Sequence, residues 1–385
     1  MKKSFYFIVS LVIAIGCKQV YEPNVETKNI RLLVAEGFIN SGQGPTIIHL
    51  SRSVNLQDTG TTSEVGATVK VEGDDGSAFL LTDDQNGRYS IPQLSLGNNV
   101  KYRLHIKTAD AKEYASDYSA VKFTPQVDSI TWQKEDDGLR IYVHAHDAQN
   151  KTKYYQWKYE ETWEFHATYY SSLKYIRDGT NRITALVWRY QDHSVDTTIY
   201  KCWNTMNSTS IILGSSEKLS SDVIYLPVQF IEPGSEKLSV LYSLYLKQYA
   251  VSQDAYLFMG RMKKNTEQVG SLFDAQPSQL SGNIHCLTDP KEPVIGFVEI
   301  TQEQVKRVFI YNGQVPGGWS YASACIQFVL DNDLDSIAKH GAELYPTVPF
   351  QLGAGGDPVT FYAANSPTCI DCTTRGVNKK PSFWP

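Results

Sequence analysis

After Ile15 this 385-residue sequence has no apolar run long enough to cross a bilayer as a helix, which leaves an N-terminal stretch as its one candidate for insertion. It also lacks a basic excess. The formal charge is −5 and no stripe of Lys and Arg stands out, which argues against nucleic acid as a partner. Catalytic signatures are missing too: there is no G-x-S-x-G elbow, no H-E-x-x-H, no P-loop and no dinucleotide glycine fingerprint. Gly353-Ala354-Gly355-Gly356 is glycine-rich, but without a lysine and a following helix it reads as a turn. These absences point away from an enzyme, and no cofactor or metal is expected.

Residues 1–16 read as a signal peptide, with Lys2 and Lys3 before the apolar run Phe5–Ile15. Ala14-Ile15-Gly16-Cys17 looks like a lipobox, so Cys17 is expected to become a lipidated N-terminus, and the lipid is the one attached group foreseen. Removing the leader takes the formal charge to −7. Residues 17–29 are polar and contain Pro23, as a tether would. Glu22 and Glu26 are scattered rather than clustered, which leaves the periplasmic and cell-surface leaflets both open.

Over residues 30–124, short strand candidates alternate with turns. Leu32–Phe38, Thr46–Leu50, Thr68–Glu72, Phe79–Leu81 and Tyr102–Ile106 carry period-two or β-branched patterns. Asp75-Gly76 and Asn86-Gly87 are favoured hairpin turns. The spacing predicts a β-sandwich that looks like an immunoglobulin-like or carboxypeptidase-regulatory-like module. A hinge at 125–128 leads to a larger β-rich second domain, 125–385. Its strongest strand is Tyr154–His166, with Tyr155, Trp157, Tyr159, Trp163 and Phe165 on a core face and the opposite face expected to be wet. Glu161 interrupts the aromatic face, so either a bulge turns it outward or a partner meets it inside.

A helix near 252–268 is expected, with Ser252 as N-cap and Ala255, Phe258, Met259 and Met262 as its apolar stripe. The following residues, 271–293, hold Pro277, Pro290 and Pro293 and must form a long loop. Within it Gln276, Ser278, Gln279 and Asn283 are the candidate docking or binding residues. The 24 Tyr and 7 Trp suit protein or glycan contacts, and Trp319 and Tyr321 join the candidates as exposed aromatics, with Tyr169, Tyr170 and Tyr175 as further exposed positions.

Besides Cys17 there are Cys202, Cys286, Cys325, Cys369 and Cys372. In an exported chain these are disulfide or metal thiols, and five is odd, so at least one is free or pairs outside the chain. Cys369 and Cys372 have redox spacing without the βαβ context of a thioredoxin-like site. A zinc site would need Cys325, Cys286 or His285 as further ligands. His144 and His146 share a strand face, but no third ligand is placed.

Three passages carry a family likeness: Lys247–Phe297, Tyr154–Phe165 (YYQWKYEETWEF) and Cys369–Trp384 (CIDCTTRGVNKKPSFW). In these the chain resembles the Bacteroidota lipoproteins called domain of unknown function 4249. The resemblance implies an outer-membrane lipoprotein that accompanies a TonB-dependent transporter and helps capture a small-molecule, peptide or glycan nutrient. A structural adhesin or envelope-assembly subunit is one alternative, and a surface hydrolase or redox lipoprotein is another.

Overall fold

Hairpin chemistry shapes the first unit of the computed structural model, which describes residues 31–54, 62–267, 282–340 and 343–385. Gly76, Asn86 and Gly87 have φ of 87°, 55° and 74°, the left-handed conformations that tight turns require. They close the hairpins Thr68–Gly73 to Ala78–Leu80 and Thr82–Asp83 to Arg88–Ile91. Two sheets result, and Leu33, Ile48, Val71, Tyr89, Leu104 and Tyr114 pack in one core between them.

That sandwich is not finished by residues 30–124. Ile284–Cys286 adds to one sheet beside Glu113–Ser116, while Ile295–Gly296 and Glu299–Thr301 add to the other, parallel to Leu33–Asn40. Ile284, Cys286, Val294, Val298 and Ile300 enter the same core. Gly296 allows the approach, because a Cβ there would lie 2.3 Å from the carbonyl oxygen of Ala35. The boundary expected near residue 124 is therefore crossed by a returning segment.

In the second unit Val127–Glu135, Gly138–His146 and Val223–Ile231 form a three-stranded sheet. It shares a core with a five-stranded sheet built around Tyr154–His166, whose long neighbours are Lys201–Asn207, Leu241–Ala250 and, beyond that, Gln304–Tyr311. Tyr155, Trp157 and Phe165 are fully buried, as the aromatic alternation predicts. Glu161 is buried with them. Lys237 Nζ meets its Oε1 at 2.6 Å, and Gln229 and Tyr242 each donate to Oε2 at 2.9 Å. The inward partner, not a bulge, is the outcome.

The helix α1 spans Gln253–Glu267, and Ser252 caps it by accepting from Ala255 N at 3.0 Å. Ala255 is buried beside Tyr249 and Val251, and the Phe258 ring lies 5.7 Å from Phe297. A C-terminal unit joins the hairpin Leu173–Arg177/Ile183–Trp188 to the sheet Gln327–Asp331, Pro358–Ala364, Tyr345–Leu352 and the short helix α2, Leu334–His340, around Leu330, Ile337 and Phe361. The chain is mainly β, 47% strand against 10% helix. Among the described residues, no helix is long and apolar enough to cross a membrane.

Candidate functional site

Strand alternation places Gln156, Lys158, Glu160, Thr162 and Glu164 on the outer face of the five-stranded sheet. Registers then assemble a charged surface, with Lys158 opposite Lys247, Glu160 opposite Tyr245 and Asn207, and Tyr245 opposite Arg307. This face was expected to be wet along its whole length. Instead Gln156, Thr162 and Glu164 are buried. Other parts of the chain cover its two ends.

At one end the N-terminal sandwich lays Phe38 on Tyr249, with ring centroids 4.2 Å apart and planes 10° from parallel. At the other end Trp384 packs edge-on against Trp203 and Phe309 and donates to Glu164 Oε2 at 3.0 Å. Phe383 lies over the Arg307 guanidinium at 3.6 Å. Between these ends a cavity of about 330 Å³ opens, lined by Glu36, Phe38 and His49 from the sandwich and by Lys158, Glu160 and Lys247 from the sheet. A wider groove of about 1080 Å³ shares Pro45, Lys247 and Glu303 with it. Together they form one trough.

Its electrostatics divide into engaged and unengaged groups. Glu303 accepts from the Tyr249 hydroxyl and lies 3.8 Å from Lys247. Among the described residues, Lys158, Glu36 and Glu160 meet no hydrogen-bonding or ion-pair partner at contact distance. The Lys158 ammonium lies 5.4 Å from the Phe38 ring centroid, open to solvent on one side. Desolvation lowers its pKa, opposed by the field of Glu36. Desolvation likewise lowers the pKa of His49 and of Arg307, which donates to Ser243 Oγ at 2.8 Å. Chemically the trough offers a cation, two carboxylates and an aromatic wall to a small polar ligand.

Among the described residues, those singled out from sequence as binding candidates do not line this trough. Gln276, Ser278, Gln279 and Cys17 fall outside the described residues. Asn283 is buried and clamps a neighbouring strand: its side chain accepts from Val298 N and donates to Val298 O, both at 2.9 Å. Trp319, expected to be exposed, is buried and donates to Ser235 O at 2.8 Å. Its indole had an acceptor within reach across the core. Tyr321 is 38% exposed and Tyr170 46% exposed, whereas Tyr169 and Tyr175 are half-buried, Tyr175 with its ring edge-on to Phe361. His144 contacts Thr131 and His146 contacts Asp128, so each has its own partner.

Cys202 pairs with Cys372 and Cys325 with Cys369, leaving Cys286 as a buried free thiol. The two C-terminal cysteines thus reach different segments, Cys372 the strand Lys201–Asn207 and Cys369 the stretch before Gln327–Asp331, and do not bond to each other. Four of the five candidate metal thiols are consumed in this way. Sequence reasoning placed Lys158 and Glu160 on one face but missed their roles in a trough. The missing signal was the identity of the neighbouring strands.

A family model described as Domain of unknown function (DUF4249) matches residues 18–307. It takes in the N-terminal sandwich, α1 and most of the central sheet, and stops short of the C-terminal cysteines. No curated protein matches the chain. One solved structure it is similar to, a mutant of Salmonella alpha-2-macroglobulin, is 10% identical, with 82% of this chain and 16% of that chain covered. The TM-score is 0.18, too low for any argument about fold.

Proposed function

The chain belongs to the DUF4249 family, and on that premise we propose that it is a non-enzymatic binding or accessory lipoprotein of the outer membrane. Lipid on Cys17 holds it there, and it works beside a TonB-dependent transporter in nutrient capture. The observation that supports this reading is the trough itself, a solvent-open, mixed-charge cleft between two β units. Ligand sites favour such junctions. The candidates of the loop after Ser252 lie mostly outside the described residues, and among the described residues the trough is the site this reading rests on.

A second reading, an adhesin or envelope-assembly subunit, is favoured by a different surface. Val329, Phe350 and Leu352 stand 48–55% exposed on the C-terminal three-stranded sheet, and exposed apolar groups of this kind mark contact surfaces.

One experiment separates the two. Native outer membranes are lightly cross-linked and the protein is recovered through a tag inserted in the exposed turn at Gly179, leaving Trp384 in place. Near-stoichiometric recovery of a TonB-dependent transporter is the expected result. Recovery of the protein alone, or of envelope-assembly proteins without a transporter, overturns the transporter partnership.

A further inference from the structure

Resting on the trough as the ligand site, we propose that its ligand carries a carboxylate and an ammonium group together, as a free amino acid or a short peptide does. Glu303 is engaged through Oε2 by Tyr249 and Lys247, so its charge is already offset within the trough. Among the described residues lining the cavity, the cation Lys158 and the carboxylates Glu36 and Glu160 remain without a partner at contact distance. A purely anionic ligand would meet Glu36 and Glu160 along with Lys158. A purely cationic one would meet Lys158. A zwitterion supplies the missing counterion to both signs, and such charge complementarity governs orientation and selectivity. Asn207 and Ser208 add neutral hydrogen-bonding groups to the wall. The cavity that holds Lys158, Glu36 and Glu160 has about 330 Å³, so the two charged groups of one or two residues fit there, while the wider groove leaves room for side chains.

The trough also makes binding sensitive to protons. Partial desolvation against the trough wall lowers the Lys158 pKa, while Glu36 and Glu303 oppose that shift and Lys247 adds to it. His49 and Glu160 complete the charged surroundings. A carboxylate placed against Lys158 raises its pKa, so binding takes up a proton at alkaline pH and affinity falls as pH climbs through the free-state pKa.

Calorimetric titration of the full-length lipidated protein in detergent provides the test. The probes are L-leucine, L-leucyl-L-leucine, N-acetyl-L-leucine and L-leucinamide. The expected result is that leucine or the dipeptide binds, and that blocking either end weakens binding by about tenfold or more. Which of the two probes binds better identifies free amino acid or peptide as the source. Lys158→Gln is expected to erase the penalty for the amide alone. The double change Glu36→Gln and Glu160→Gln is expected to erase the penalty for N-acetylation alone. Melting curves show that each variant is folded. Equal binding of the blocked forms, or no heat from leucine and dipeptide at millimolar concentration, overturns the zwitterion proposal. Recovery of a transporter from cross-linked membranes would still stand in that case, so the two failures are distinguishable.

Discussion

Burial alone would raise the carboxyl pKa of Glu164, yet hydrogen bonds from His166, Lys201 and Trp384 outweigh it and hold the group at about 2. Lys201 Nζ lies 2.9 Å from Oε1 and Trp384 Nε1 lies 3.0 Å from Oε2, so one carboxylate ties a strand neighbour and the C-terminal tail to the central sheet. The unfolded-state pKa is about 4.3. Because the folded value is depressed, the stabilisation is fully present above the unfolded value and is lost as pH falls toward 2. It amounts to about 3 kcal/mol over that window. Denaturant unfolding from pH 6 down to pH 2 is expected to show that loss, and Glu164→Gln is expected to be less stable at pH 6 with a flatter acid limb. An unchanged acid limb in the variant would rule out this role. Glu161 illustrates how far the sequence reaches at the same scale. Its intrusion into an aromatic face was visible, but its partner Lys237 lies 76 residues away and follows from the fold alone.

Elements with a sustained period were legible, and elements that break their own local rules were not. Tyr154–His166 was readable to both ends because thirteen residues keep one alternation, and α1 was readable from its cap and apolar stripe. Tyr345–Leu352 escaped notice because Pro346 and Pro349 argue against a strand. It is an edge strand, and its register shifts at those prolines, so the missing N–H groups break no interior ladder. The cap of α1 links an element to the trunk of the molecule. Ser252 accepts from Ala255 N and its N–H and hydroxyl both donate to Glu299 Oε1, while burial raises the Glu299 pKa. Ser252→Ala is therefore expected to lose about 1–2 kcal/mol, since the cap goes and a buried carboxylate loses a donor. Glu299→Gln removes a charge whose raised pKa makes stability fall as pH rises above the unfolded value, so it is expected to be neutral or stabilising at pH 7. Urea midpoints of the two variants check this, and a strongly destabilised Glu299→Gln would show that the charge is needed.

At the scale of the whole molecule, sequence order and spatial order part company. The first unit owes an edge strand in one sheet and two parallel additions in the other to residues 284–301, which follow α1 and all but the last strand of the central sheet in the sequence. Short strands such as Ile295–Gly296 carry too little pattern to announce their partners, which is why a boundary near 124 looked natural. The same segment then runs directly into Gln304–Tyr311 of the central sheet, so it also fixes how the two walls of the trough meet. A fragment of residues 30–124 would leave the sandwich without Ile284, Cys286, Val298 and Ile300, all of them nearly inaccessible in the core, and with two unpaired strand edges. Each large aliphatic side chain missing from such a core is worth about 1.5–3 kcal/mol, so the deficit approaches the whole stability of a small domain. The fragment is expected to lack a cooperative thermal transition, and adding a peptide of residues 282–303 in trans is expected to restore one. A fragment that melts sharply by itself would show that the returning segment decorates a finished sandwich, and the walls of the trough would then be free to move against each other.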